Sequence, residues 1–199
     1  SARLYLRLWA RSMSLGKSYG RLGWGGRLIR ILLFLLATPL WLLHWFCLLL
    51  DELLFSGYRQ QSLERPVFIL GVPRSGTTHL HRTLADDRDT FSSIATWEVF
   101  LAPSIVQRYF WIGLSHLDAL LGGPGQRLMV WLEAKLFGGL EGVHDIELAA
   151  AEEDYLLLLP ILSCFILFLP FTSAEHIWRL TRFDWDMPEK DRRLILAFY

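Results

Sequence analysis

The chain has 199 residues, 53% of them hydrophobic, a mean hydropathy of +0.32, nine Trp, two Cys and a formal charge of zero. That length excludes several domains of ordinary size, and two Cys, Cys47 and Cys164, in separate apolar runs read as two packed thiols rather than a disulfide framework. All seven charged residues before position 51 are basic, which leaves thirteen basic against twenty acidic residues after it, a balance that argues against nucleic-acid binding by the body of the chain.

In chain order, Arg3, Arg7 and Arg11 recur at helical spacing opposite Leu4, Leu8 and Leu15, near Trp9 and Trp24. This pattern suits an interfacial basic helix drawn to anionic headgroups, or an amphipathic helix packed on protein. Gly20, Gly23, Gly25 and Gly26 separate it from an apolar run over 31–50, twenty residues broken only by Thr38, Pro39 and His44. The run is long enough to span a bilayer; Pro39 also suits a shallow hairpin within one leaflet. Asp51 and Glu52 close it, and the sixteen-residue link to Val67 is too short for a stalk, so whatever follows lies near the membrane surface. Residues 67–72 read as a buried parallel strand, 77–85 as a returning helix, 91–96 as a short second strand and 97–109 as a helix interrupted early by Pro103. Turns at 122–125 and 138–139 flank a helix over 126–137; 155–170 reads as a core helix despite Pro160, and 188–199 as a final helix. The expected division is a membrane-associated arm, 1–56, and an α/β domain, 57–199, with a P-loop-like parallel sheet flanked by helices.

The chemistry sits at Gly71-Val72-Pro73-Arg74-Ser75-Gly76-Thr77-Thr78. The spacing of Gly71 and Gly76, followed by two hydroxyl residues, is that of a phosphate-cradling loop, in which successive N–H groups and a helix N-terminus meet an anion. Thr77 stands where an NTPase loop has the Lys that reaches the β- and γ-phosphates, and Arg74 supplies a planar cation elsewhere in the loop.

The segment from Pro66 to Leu84, with its Pro-Arg-Ser-Gly-Thr-Thr core, resembles the 5′-phosphosulfate-binding loop of the sulfotransferase superfamily, whose members move a sulfonate from 3′-phosphoadenosine 5′-phosphosulfate (PAPS) to a hydroxyl or amine. Thr96-Trp97-Glu98, His144-Asp145 and Glu152-Glu153-Asp154 extend the resemblance. It implies a PAPS site at Pro73, Arg74, Ser75, Gly76, Thr77 and Thr78, with Arg74 on the 5′-phosphate and bridging oxygen, Gly76 allowing close approach and the Thr hydroxyls donating. Members of the superfamily use either Glu or His as general base. Glu98 is the first candidate, with a helix-start carboxylate as its bland reading; His144 is the second. The acidic group 152–154 orients an acceptor or a His, or marks a helix start. His79 and His81, two apart on one helix, point to different faces, and no metal site is expected.

Related enzymes hold the 3′-phosphate with an Arg and a Ser further along, and no matching segment occurs here; Arg179, Arg182, Arg192 and Arg193 lack the strand-then-helix context. Residues 188–199 read as a helix still running at the last residue, the pattern of a fragment. The leading expectation is sulfonate transfer from PAPS to an acceptor hydroxyl on a lipid or saccharide at a membrane. A P-loop kinase or NTPase and a non-catalytic sulfotransferase-like protein are the alternatives. The expected setting is the cytoplasmic face of the membrane in a bacterium, reached by a hairpin or in-plane segment, or the Golgi membrane in a eukaryote.

Overall fold

The computed structural model describes residues 2–13, 24–62, 65–72, 75–137, 148–168, 171 and 174–199. They form eight α-helices joined by short 3₁₀ segments, in two compact units: Ser1–Phe46 with Asp154–Tyr199, and Cys47–Glu153.

The first unit is built around aromatic side chains. Helix α1 (Ala2–Met13) buries Leu8 completely in a cluster with Leu162, Phe171, Ala174 and Ile177. Its Tyr5 ring stacks on Trp41 of α2 (Trp24–Leu54), centroids 4.6 Å apart, and the Tyr5 hydroxyl bonds the Thr38 hydroxyl. Leu8 and, in part, Leu4 of α1 thus pack on protein, as the second of the two readings of this helix expected, and aromatic stacking adds to that packing. Helix α2 runs unbroken through Pro39, so the chain does not turn back there as a hairpin would. Its stretch Ile31–Leu54 is long and apolar enough to cross a membrane, and most of its Leu side chains are exposed. Trp41 and Trp45 indole N–H groups both donate to the Pro160 carbonyl, at 2.7 and 3.0 Å, filling both lone pairs of that oxygen.

Around Pro160 the core helix expected over 155–170 is instead two 3₁₀ pieces, Asp154–Leu158 and Phe165–Phe168, joined by a turn in which Leu162 has φ +58. Proline lacks the helical donor and the left-handed Leu162 reverses the backbone, so the helical repeat cannot continue. Cys164 in this turn is free and buried, and burial pushes its thiol up to about 11; Cys47 is likewise free and buried. The unit closes with α7 (Glu175–Trp178) and α8 (Glu189–Phe198).

The second unit carries α3 (Thr77–Ala85), α4 (Thr96–Leu101), α5 (Ile105–Leu120) and α6 (Pro124–Phe137). Helix α5 starts after Pro103 because Ser104 accepts from the Gln107 N–H, while Asp51, only 5% exposed, accepts from Ile105 N–H at 2.7 Å and Val106 N–H at 2.9 Å. Three of the four N–H groups a helix start leaves unpaired are thereby satisfied. It outruns the expected end at 109 because Gly113 costs only about 1 kcal/mol inside an apolar helix. Asp118 repeats the device, accepting from Gly125 and Gln126 at 2.7 and 2.9 Å across the turn where Gly122 and Gly123 have φ +87 and +76.

The parallel sheet is the main departure. Among the described residues no strand is paired: 67–72 is neither helix nor strand, and its Phe68 and Leu70 are 73% and 89% exposed. A strand exists through its neighbours' N–H and C=O groups, and among the described residues no segment pairs with this run beyond the local turn of Ser75 onto Val72. The expected strand 91–96 reduces to one antiparallel bridge, Ala95 with Ala151.

Candidate functional site

The loop after 67–72 is shaped by its glycines. A Cβ on Gly71 would lie 2.5 Å from both Ser75 Oγ and Thr77 Cγ2, so glycine lets those two side chains close over the backbone there and a larger residue would displace them. The Ser75 N–H closes a turn onto the Val72 carbonyl at 3.1 Å. Gly76 takes the helix-capping position with φ +87, where nothing crowds the missing side chain and conformation alone selects glycine. Because Gly76 brings no capping side chain, the first N–H groups of α3, from Thr77, Thr78 and His79, have neither a helical acceptor nor a side-chain cap among the described residues. With the positive end of the helix macrodipole this is an arrangement that can receive an anion beside the exposed Ser75 and Thr78. Pro73, Arg74, His144 and Asp145 lie outside the described residues.

Glu98 occupies the third position of α4. Its Oε2 accepts from the Ala95 N–H at 2.8 Å and its Oε1 lies 3.5 Å from Arg108 Nη1, with the side chain 18% exposed. This is the reach-back half of a capping box; Ala95 has no side-chain oxygen for the other half. The bland helix-start reading of Glu98 therefore describes what its carboxylate does in the fold, and its ion-pair partner Arg108 was not visible in the sequence.

The structure brings Thr96-Trp97-Glu98 and the acidic group together. Thr96 N–H donates to the Ala150 carbonyl at 3.0 Å, Trp97 N–H to that of Leu148 at 2.9 Å, and Glu152 N–H to that of Ile94 at 2.8 Å. Thr96 Oγ1 is 3.1 Å from Glu152 Oε2. Glu152 thus stands one short ladder from Glu98. Asp154 instead accepts from the Tyr199 hydroxyl; burial and then the bond to Asp154 push that phenol up to about 12. Among the described residues the partners of Glu98 are Ala95 and Arg108, and no hydrogen bond or ion pair joins it to residues 75–78. His79 and His81 sit on α3, exposed and half-buried, and among the described residues no group of three His, Cys, Asp or Glu is placed to hold a metal.

A family model described as Sulfotransferase family matches residues 66–167, just over half of the chain, and the chain belongs to that family. The match opens just before the loop and takes in Glu98, His144 and the acidic group; α1, α2 and the chain beyond 167 lie outside it. No curated protein and no solved structure matches the chain.

Proposed function

We propose that the chain transfers a sulfonate from PAPS to an acceptor hydroxyl on a lipid or saccharide at a membrane, with α2 as the anchor. The observation that carries the cofactor assignment is the uncapped start of α3 behind Gly76, with Gly71 pressed against Ser75 and Thr77: a cradle of N–H donors with no room for a side chain. PAPS supplies an already activated sulfonate, so the protein's task is alignment and stabilisation of charge on the leaving 5′-phosphate. In this reading the Thr77 and Thr78 hydroxyls and the α3 N–H groups receive that charge, and Arg74 adds a charge-assisted contact. No step calls for a metal ion. The same proposal assigns 67–72, unpaired among the described residues, to the parallel sheet of such a domain, with the arm ending near 56; the exposed apolar side chains of the run and its position ahead of the loop support the assignment.

Glu98 is proposed as the base that takes the acceptor proton, oriented by Ala95 N–H and Arg108. One observation favours His144 instead: both Glu98 oxygens already have partners, so abstraction by Glu98 requires giving up one of them.

Calorimetry with adenosine 3′,5′-bisphosphate tests the cofactor assignment. Binding without Mg²⁺ and in preference to ATP is expected, and Arg74→Ala should weaken it at least about tenfold, the value of one charge-assisted hydrogen bond. Unchanged affinity in that variant, or Mg²⁺-dependent ATP binding, would falsify it.

A further inference from the structure

The unit formed by 1–46 and 154–199 encloses a cavity of about 460 Å³, within the range of small-molecule sites. Arg3, Arg7, His176 and Arg179 line its polar side, and Trp45 and Phe198, ring centroids 6.3 Å apart, line its apolar side. Arg3 and Arg7 lie one turn apart on α1, a like-charge pair that repels itself, and neither forms an ion pair with a described carboxylate. Arg179 gives Nη2 to Glu175 Oε1 at 2.6 Å but keeps a buried Nε–H with no hydrogen-bond partner, a desolvated donor that an incoming oxygen would satisfy. Against three guanidinium groups the wall sets one carboxylate, Asp191. The surplus is positive, and guanidinium geometry matches a phosphate or sulfate ester.

The apolar side gives the ligand its second property. Trp45 belongs both to the cavity wall and to Ile31–Leu54, the helix apolar enough to cross a membrane. An anion entering here meets Trp45 and Phe198 beside the cations, an arrangement for a molecule charged at one end and apolar at the other. Nearly all of the wall comes from residues outside the family match, so the cavity belongs to this chain's own arm and C-terminal segment rather than to the loop-bearing region.

We propose that this cavity binds the phosphate or sulfate ester headgroup of an anionic amphiphile, with the ester oxygens on Arg3, Arg7 and Arg179 and the first part of the apolar chain against Trp45 and Phe198. The full chain in a neutral detergent, titrated calorimetrically with dihexanoyl phosphatidic acid, tests it. Saturable one-to-one binding is expected, at least about tenfold tighter than for dihexanoyl phosphatidylcholine or inorganic phosphate. Arg7→Gln and Arg179→Gln should each weaken it about fivefold or more. Arg193→Gln, which removes an exposed cation paired with Glu189 outside the cavity, should leave it unchanged. Ser163→Phe fills the cavity with every guanidinium retained and should abolish binding, which keeps the test decisive should an Arg variant unfold. Inorganic phosphate binding as tightly marks a free-anion site and overturns the amphiphile; equal affinity for the zwitterion, an equal loss in the Arg193 variant, or undiminished binding in a folded Ser163 variant overturns the site. Displacement by adenosine 3′,5′-bisphosphate reassigns the cavity to the nucleotide and overturns it also, whereas failure of that nucleotide to bind anywhere leaves this result standing.

Discussion

The loop over 65–78 and the aromatic cluster around Trp41 are opposites. Among the described residues of the loop, apolar Phe68 and Leu70 are exposed, the backbone closes one turn bond between two glycines, and the first α3 N–H groups have no side-chain cap. Around Trp41, Leu8 is fully buried, Tyr5 stacks on an indole, and two Trp N–H groups share one carbonyl. On the proposed function, activity and stability are carried by different parts of the chain. Unsatisfied donors are what an anion site needs, and satisfied ones are what a core needs. Substitutions in the two regions should therefore affect different measurements.

The largest effect is expected in the chemistry itself. Glu98→Gln should lower sulfonate transfer by about 10² to 10⁴ while nucleotide affinity stays nearly level, with His144→Asn changing the rate far less. Radiolabelled-sulfate transfer that survives in the Glu98 variant and collapses in the His144 variant makes His144 the base. Because Glu98 also caps α4, the Gln variant must be checked by circular dichroism; its amide oxygen still accepts from Ala95 N–H, so helix loss is expected to be small.

On the packed side, Leu8→Ala should destabilise the protein by about 2 to 5 kcal/mol, the cost of a truncated, fully buried leucine. Binding of adenosine 3′,5′-bisphosphate at a temperature where the variant is folded should be unaltered. A fall in nucleotide affinity that parallels the fall in the denaturation midpoint would break the separation of roles.

A smaller effect belongs to the loop. Gly76→Ala forces an L side chain into φ +87, a strain of roughly 1 to 2 kcal/mol. With no packing neighbours to hold it, the unbound loop escapes that strain by relaxing out of its binding conformation, so the expected result is a fivefold to thirtyfold weaker nucleotide with little change in thermal midpoint. A variant that melts earlier but binds normally would show that the loop is part of the core after all.

What could be read without the structure was local. Gly71 and Gly76 announce themselves because close approach and positive φ are demands a single residue type meets, and α3 appears over Thr77–Ala85 where its periodicity and the preceding glycine put it. The family followed from the same few residues. Glu152 was noticed only as part of an acidic run, because its partner Thr96 lies 56 residues away.

Tertiary structure decided the rest. An apolar run such as 67–72 reads as a buried strand by composition, yet a strand is defined by a neighbour's hydrogen bonds, which composition does not contain. The 155–170 run reads as a helix, but Pro160 turns its carbonyl to Trp41 and Trp45, 119 and 115 residues away in the chain. Asp51 looks like the polar end of an apolar segment until α5 is seen to start on its carboxylate, 54 residues on. Likewise, the basic face of α1 reads as a lipid-facing stripe, and only its packing reveals that Leu4 and Leu8 opposite it pack on protein while Arg3 and Arg7 line a cavity. Backbone conformation and glycine placement are short-range and so were legible in sequence; hydrogen-bond partners and cavities are set by residues distant in the chain, and those contacts exist only once it has folded.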